Sequence, residues 1–133
     1  MSKKKKKIFL IEDDIAIIDV YKMAFQSTDI EVESIMWGNQ AIEKIRLIQG
    51  GSLEKPSIVL LDLILPDISG VEILKVIKQH EKTRDIIVIV LSNYTNEEFG
   101  KTEDAKPDKF ILKASIAPTE LVKLVQEQFK KIK

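Results

Sequence analysis

The sequence contains no cysteine and no apolar run long enough to cross a membrane. Without cysteine the chain can form neither a disulfide framework nor a thiolate metal site, and it has no cysteine nucleophile. A membrane-spanning helix needs about 20 apolar residues in succession, and every apolar run here is much shorter. A charge bias is absent too, because 21 lysine and arginine residues balance 21 aspartate and glutamate residues. These absences favour a cytoplasmic protein and give no global reason to expect nucleic-acid or membrane binding.

The composition is that of one ordinary globular domain. A chain of 133 residues is the usual size of one domain and can bury a sizeable core. The apolar fraction of 44% and the charged fraction of 32% are typical of such domains. The low-complexity segment is the lysine run Lys3–Lys7. We therefore expect residues 1–7 to form a disordered lysine-rich tail and residues 8–133 to form the domain.

Two sequence patterns alternate along the chain. Runs rich in branched aliphatic residues predict five strands, at Ile8–Ile11, Val32–Met36, Ile58–Leu61, Ile86–Leu91 and Phe110–Leu112. Segments with helical spacing follow them, at Ile15–Phe25, Ala41–Ile48, Val71–Ile77, Asn96–Ala105 and Leu121–Phe129. The fourth of these has the poorest pattern, with Phe99 as its large apolar anchor, so we expect it to be short or mobile. This alternation predicts an α/β fold, in which parallel strands are joined by right-handed crossovers.

Asp62 is a carboxylate in an otherwise apolar run. It follows the predicted strand Ile58–Leu61 and precedes the turn residues Pro66–Gly70. An isolated charge in an apolar interior costs several kcal/mol, so such a group is normally paired, metal-bound or placed at a strand end. We therefore place Asp62 where a central strand meets its loop, the edge at which ligands bind in open α/β sheets.

A second group of acidic residues follows the first strand. If the first and third strands are neighbours, their carboxyl ends bring Glu12 and Asp13 close to Asp62. Carboxylates this close repel one another unless a cation lies between them. Together with water they offer the hard oxygen ligands that Mg²⁺ prefers. Asp14 is placed to cap the following helix.

A hydroxyl and an ammonium group end the last two strands. Ser92 closes the fourth strand and Lys113 follows the fifth. Each residue alone is compatible with an ordinary surface position. Combined with the acidic group, they predict a site for a phosphoryl group, in which Asp62 is free to accept it covalently.

Four blocks of the sequence resemble the receiver domains of two-component response regulators. They are Phe9–Asp14, Val59–Gly70, Val90–Ser92 and Lys109–Lys113. Their order and spacing match over essentially the whole chain after the lysine run, so the resemblance assigns residues 8–133 to one receiver domain. It implies a doubly wound, five-stranded parallel sheet in the flavodoxin-like order 2-1-3-4-5, with helices on both faces.

The resemblance also implies roles for the site residues. Asp62 would accept a phosphoryl group from a histidine kinase or a histidine phosphotransfer protein. Asp13, Asp62 and the backbone carbonyl of Ile64 would bind Mg²⁺, with Glu12 helping through water. Lys113 would pair with the phosphoryl group.

Other positions would transmit the signal or set its lifetime. Ser92 takes the place of the switch hydroxyl and Phe110 that of the switch aromatic residue. Ile64 and Tyr94 occupy the positions that tune dephosphorylation, and neither carries a carboxylate or an amide to orient water, so we expect slow self-hydrolysis. Receivers usually have proline after the conserved lysine, but Ala114 stands there. This leaves open whether the 113–114 peptide is cis, because cis bonds are rare without proline.

The resemblance implies a signalling switch, not an enzyme with turnover. Its output would be the binding of a downstream protein through the surface around the fourth helix, fifth strand and fifth helix, which could also support a homodimer. A phosphorylation-independent interaction module is the alternative, although an intact site argues against it. An aspartyl phosphohydrolase typically has a second acid two residues after its nucleophile, and Ile64 stands there instead.

Overall fold

The computed structural model describes residues 6–93 and 105–132. In these residues the strands are β1 (Lys6–Ile11), β2 (Ile30–Ile35), β3 (Ile58–Asp62), β4 (Ile87–Ser92) and β5 (Lys109–Leu112). The helices are α1 (Ile15–Phe25), α2 (Gly38–Gln49), α3 (Gly70–Lys78) and α4 (Pro118–Lys131), the last being the fifth helix predicted from the sequence. A short 3-10 helix at Lys113–Ser115 follows β5 directly.

The strands form one parallel sheet in the order β2-β1-β3-β4-β5. This confirms the predicted doubly wound, flavodoxin-like topology. Ile11 lies beside Leu61, Asp62 beside Leu91 and Ser92 beside Leu112. Because all strands run in the same direction, this register brings the carboxyl ends of β1, β3, β4 and β5 to one edge of the sheet.

Alternate residues of the central strands bury their side chains on opposite faces of the sheet. One face packs against α2 and α3, and its strand residues are Phe9, Ile11, Val59, Leu61, Val88 and Val90. The other face packs against α1 and α4, and its strand residues are Ile8, Leu10, Ile58, Leu60, Ile89 and Leu91. Layers of this kind explain why the middle of each central strand is apolar on both faces. Polar residues stand at the ends of these strands, and Asp62 is the one that ends β3.

Two of the helices, α1 and α3, begin at side-chain caps. Asp14 accepts hydrogen bonds from the backbone N–H groups of Ala16 at 2.9 Å and Ile17 at 3.3 Å, as expected for the cap of α1. Ser69 caps α3 through the N–H of Val71 at 3.2 Å. Pro118 occupies the first turn of α4, as predicted.

β1 is longer than the sequence predicts. It begins at Lys6, where Lys6 lies beside Ile30 of β2, so the expectation of a tail reaching residue 7 is wrong for its last two residues. Lys7 is held in the strand by an ion pair with Glu33 at 2.8 Å. Lys6 likewise pairs with Asp29, at 3.3 Å. Residues 1–5 lie outside the described residues.

Two further expectations concern the fourth helix and membrane-spanning segments. The predicted fourth helix, Asn96–Ala105, lies outside the described residues except for Ala105, which is buried. Within residues 6–93 and 105–132, no helix is sufficiently long and apolar to span a bilayer.

Candidate functional site

The carboxyl edge of the sheet carries a cavity of about 380 Å³. Its lining residues are Glu12, Asp13, Asp14, Ile17, Asp62, Ile64, Ser92, Asn93 and Lys113. They come from the ends of β1, β3, β4 and β5, which the parallel register places side by side. The residues predicted to accept, pair with or hydrogen-bond a phosphoryl group therefore line one cavity.

Lys113 joins two of the carboxylates in this cavity. Its ammonium Nζ donates to Glu12 Oε1 at 2.5 Å and to Asp62 Oδ2 at 3.0 Å. The Lys113 side chain is 12% exposed and the Glu12 side chain 2%, so little water competes for these bonds. Lys113 thus supplies one positive charge to two buried carboxylates, which leaves the cluster with a net negative charge.

The backbone fixes the other oxygen of each carboxylate. Glu12 Oε2 accepts from the N–H groups of Asp13 at 3.0 Å and Asp14 at 3.3 Å. Asp62 Oδ1 accepts from the N–H of Ile64 at 3.1 Å. Both side chains are therefore oriented before any ligand arrives, and Asp62 Oδ2 points to Lys113.

Burial and charge shift the titration of Glu12 and Lys113. The pKa of Glu12 is raised from 4.5 to about 7, mainly by burial; the nearby Asp62 adds to this rise, and the hydrogen bond from Lys113 opposes it. Burial alone lowers the pKa of Lys113, but its hydrogen bonds to Glu12 and Asp62 outweigh this and raise it overall. Two carboxylates share one ammonium group in this cluster, so its excess of negative charge favours the binding of a further cation.

The raised pKa of Glu12 predicts a loss of stability as the pH rises. A carboxyl group with a higher pKa in the folded state stabilises fully below its unfolded pKa, here 4.5, and this contribution disappears as the pH passes about 7. The shift corresponds to about 3 kcal/mol in the free energy of unfolding without Mg²⁺. Urea denaturation across this range should show the decline in the wild type and a flatter profile in Glu12→Gln. Equal slopes would contradict the prediction.

Three carboxylates could hold a metal ion in this cavity. One oxygen from each of Glu12, Asp13 and Asp62 lies within 4.8 Å of the others. Carboxylate oxygens are hard ligands, which suit Mg²⁺ with several waters retained. Ile64 lines the same cavity, and its backbone N–H donates to Asp62 Oδ1 at 3.1 Å, so its backbone is near the metal donors. The donor set fits the predicted Mg²⁺ site.

The two residues predicted to act as switches have different positions. Ser92 lies at the end of β4, is fully buried and lines the cavity. Phe110 is half-buried in β5 and packs against the core face below α2 and α3. It does not line the cavity, so any effect of the site on Phe110 must pass through neighbouring groups. Tyr94 lies outside the described residues. The 113–114 peptide is trans, because the described part of the chain contains no cis bond.

Asn93 is a lining residue that the sequence reasoning missed. It follows Ser92 directly and is exposed at the cavity. The signal was available, since a residue that follows a strand end belongs to the same edge as the strand end itself. The side-chain amide of Asn93 can form hydrogen bonds at this cavity, whereas the side chain of Ile64 cannot.

Comparison with known proteins gives one family. The model of the response regulator receiver domain matches residues 8–126. The probable methanogenesis regulatory protein FilR2 of Methanothrix harundinacea is 37% identical over 93 residues, which are 68% of this chain and 60% of FilR2.

Solved structures share the fold over nearly the whole chain. The phosphorylated cyanobacterial phytochrome response regulator RcpA is 29% identical with a TM-score of 0.77, covering 96% of this chain and 93% of RcpA. The Mn²⁺-bound form of response regulator Rcp1 is 25% identical with a TM-score of 0.75, covering 92% of this chain and 90% of Rcp1. One of these neighbours carries a phosphoryl group and the other a divalent metal.

Proposed function

The chain belongs to the family of response regulator receiver domains, and from this premise we propose that it is a switch controlled by Mg²⁺-dependent phosphorylation of Asp62. The observation that carries the proposal is the bonding of Lys113 to both Glu12 and Asp62 in one cavity with Ser92. A structural ion pair would not need a second buried acid or an adjoining cavity. A phosphoryl acceptor needs both.

The residues divide the transfer step between them. A carboxylate oxygen of Asp62 attacks the phosphorus of a phosphohistidine; the P–O bond forms, the P–N bond breaks, and the electron pair returns to the imidazole, which takes up a proton. Lys113 stabilises the charge on the phosphoryl oxygens, and Ser92 donates a hydrogen bond to one of them.

The metal would be held by the acidic side of the cavity. Asp13, Asp62 and the backbone carbonyl of Ile64 would be its protein ligands, with Glu12 holding a coordinated water. When bound, Mg²⁺ supplies positive charge to the phosphoryl oxygens. Support comes from the donor geometry and from the Mn²⁺-bound relative Rcp1.

The output would be a change in protein binding. A phosphoryl group on Asp62 would contact Ser92 and Lys113, which lie at the ends of β4 and β5. The change in these contacts would be transmitted to Phe110 and to the surface formed by the fourth predicted helix, β5 and α4. The phosphoryl donor would be a histidine kinase or a histidine phosphotransfer protein of the cytoplasm. The downstream partner would be a protein, and a homodimer through the same surface is one form of that output.

The matched segment makes up only part of two relatives. The chain spans 60% of FilR2 and 6% of the hybrid signal transduction histidine kinase L of Dictyostelium discoideum, to which it is 29% identical over 111 residues. The matched segment is thus a part of these longer proteins.

Beryllofluoride with Mg²⁺ tests the switch directly. It mimics an acyl phosphate, so we expect it to raise the melting temperature and change the fluorescence of Trp37, the single tryptophan, in the wild type but not in Asp62→Ala. An unresponsive wild type would favour the phosphorylation-independent interaction module. Multiple turnover of small phosphate esters would favour a hydrolase instead.

The lifetime of the acyl phosphate should be long. Ile64 offers no group to orient an attacking water, so we expect the purified phosphoprotein to keep its label well beyond seconds at neutral pH. Ile64→Gln should shorten the lifetime by about fivefold, the effect of one hydrogen bond worth about 1 kcal/mol in the transition state. Ile64→Leu is the matched control. A wild-type label lost within seconds would refute this prediction.

A further inference from the structure

Asp67 connects two segments that are far apart in the sequence. It lies in the loop between β3 and α3, and its carboxylate accepts the N–H of Gly38 on Oδ1 and the N–H of Asn39 on Oδ2, both at 2.8 Å. These groups belong to the first turn of α2, where backbone N–H groups have no partner within the helix. Trp37, the N-cap residue of α2, makes no side-chain cap bond. Asp67 therefore caps α2 from another loop, with a charge that suits a helix N-terminus.

Gly38 allows the loop to pack this closely on the helix. A Cβ atom at this position would lie 2.8 Å from Ile68 Cδ1 and 3.1 Å from Asp67 Oδ1. Both distances are shorter than ordinary contacts, so a side chain at position 38 would displace Ile68 and Asp67 from their contacts with α2. The packing of Ile68 and the two hydrogen bonds are independent observations of the same contact.

The loop from residue 63 to residue 70 is closed by contacts between its two ends. The N–H of Gly70 donates to the carbonyl of Leu63 at 2.7 Å, and Ile64 forms an antiparallel bridge with Ser69. At position 70 a Cβ would lie 2.7 Å from Leu63 Cα, so the two ends of the loop touch. A displacement of the loop at Asp67 is therefore carried to Ile64, which lines the cavity.

We propose that Asp67 is a positioning residue, which holds the loop against α2 and thereby keeps the backbone carbonyl of Ile64 at the metal site. The inference rests on the proposed function, because the Ile64 carbonyl is one of its metal ligands. Asp67 itself does not line the cavity and touches neither metal nor phosphoryl group. It acts through the loop, as outer partners of metal ligands do.

Three variants separate the contact from the charge. Asp67→Ala removes both hydrogen bonds, and Asp67→Asn keeps one acceptor oxygen for two N–H groups. Gly38→Ala keeps the Asp67 carboxylate but places a Cβ atom against Ile68 and Asp67, where the loop packs on α2. Glu72→Gln is the matched control, since it removes one exposed charge from the first turn of α3 without touching α2.

The Mg²⁺ dissociation constant is measured by an NMR titration of backbone amides in each full-length protein. We expect Asp67→Ala and Gly38→Ala to bind Mg²⁺ about tenfold more weakly, Asp67→Asn to be intermediate, and Glu72→Gln to match the wild type. Phosphorylation of Asp67→Ala by acetyl phosphate should recover at saturating Mg²⁺. A general loss of structure would lower it at every Mg²⁺ concentration.

The outcomes distinguish this inference from the function on which it rests. If the wild type is phosphorylated and Asp67→Ala and Gly38→Ala bind Mg²⁺ as tightly as it does, the inference is overturned and the switch stands. An equal loss in Glu72→Gln also overturns it, because charge would then be the cause. If the wild type neither binds Mg²⁺ nor becomes phosphorylated, the proposed function fails and the inference falls with it.

Discussion

Asp62→Asn is expected to abolish phosphoryl transfer to the protein while leaving it folded. The amide is not a nucleophile, but its oxygen can still accept the hydrogen bond from the N–H of Ile64, which the native carboxylate accepts at 3.1 Å. Lys113 keeps its bond to Glu12. Removing the repulsive charge of Asp62 also lowers the pKa of Glu12, so the variant should be at least as stable as the wild type near neutral pH.

Radiolabel from acetyl phosphate or a phosphorylated histidine kinase measures this effect. The wild type should take up label in the presence of Mg²⁺, and Asp62→Asn should take up none. Asp14→Asn is the matched control, because Asp14 lines the same cavity and asparagine caps a helix as well as aspartate does. Label in Asp62→Asn equal to that in the control would show that another group is phosphorylated.

Lys113→Met is expected to cost about 3 kcal/mol of stability at roughly pH 8 without Mg²⁺. The variant leaves Glu12 and Asp62 in contact, both nearly buried, with no ammonium group between them. Glu12 already has a pKa raised to about 7, and loss of the Lys113 hydrogen bond raises that pKa further. At about pH 5.5 Glu12 is neutral in the variant, so the loss should shrink there.

Urea denaturation with and without Mg²⁺ measures this second effect. Mg²⁺ replaces the missing positive charge, so it should stabilise Lys113→Met more than the wild type. Lys55→Met is a matched control, because Lys55 forms an exposed ion pair with Asp85, and exposed pairs contribute about 0–1 kcal/mol. A loss in Lys113→Met no larger than in Lys55→Met, or one independent of pH, would contradict the account of the cluster.

The parts of this fold that the sequence predicted are those that local patterns determine. The apolar composition of the strands predicts that they are buried, and Asp62 stands out because a charge in such a strand needs a compensating partner. Once parallel pairing is inferred, the strand ends Glu12, Ser92 and Lys113 must share one edge. The four sequence blocks and the family match over residues 8–126 then agree with the observed sheet order.

The parts that the sequence did not predict depend on contacts between distant segments. β1 begins at Lys6 because β2 offers a partner there, which no property of the lysine run reveals. Asp67 reads as an ordinary turn residue, and its bonds to Gly38 and Asn39 span 29 and 28 positions in the sequence. Local propensity carries no information about such contacts.

Mapping the phosphorylated residue is the most direct measurement of the central claim. The wild type is incubated with acetyl phosphate and Mg²⁺, the acyl phosphate is trapped by borohydride reduction, and the peptides are sequenced by mass spectrometry. We expect one modified residue, Asp62, and no modification when Mg²⁺ is removed. Modification of Asp13 or Glu12 instead, or none at all under conditions that phosphorylate a known receiver, would contradict this expectation.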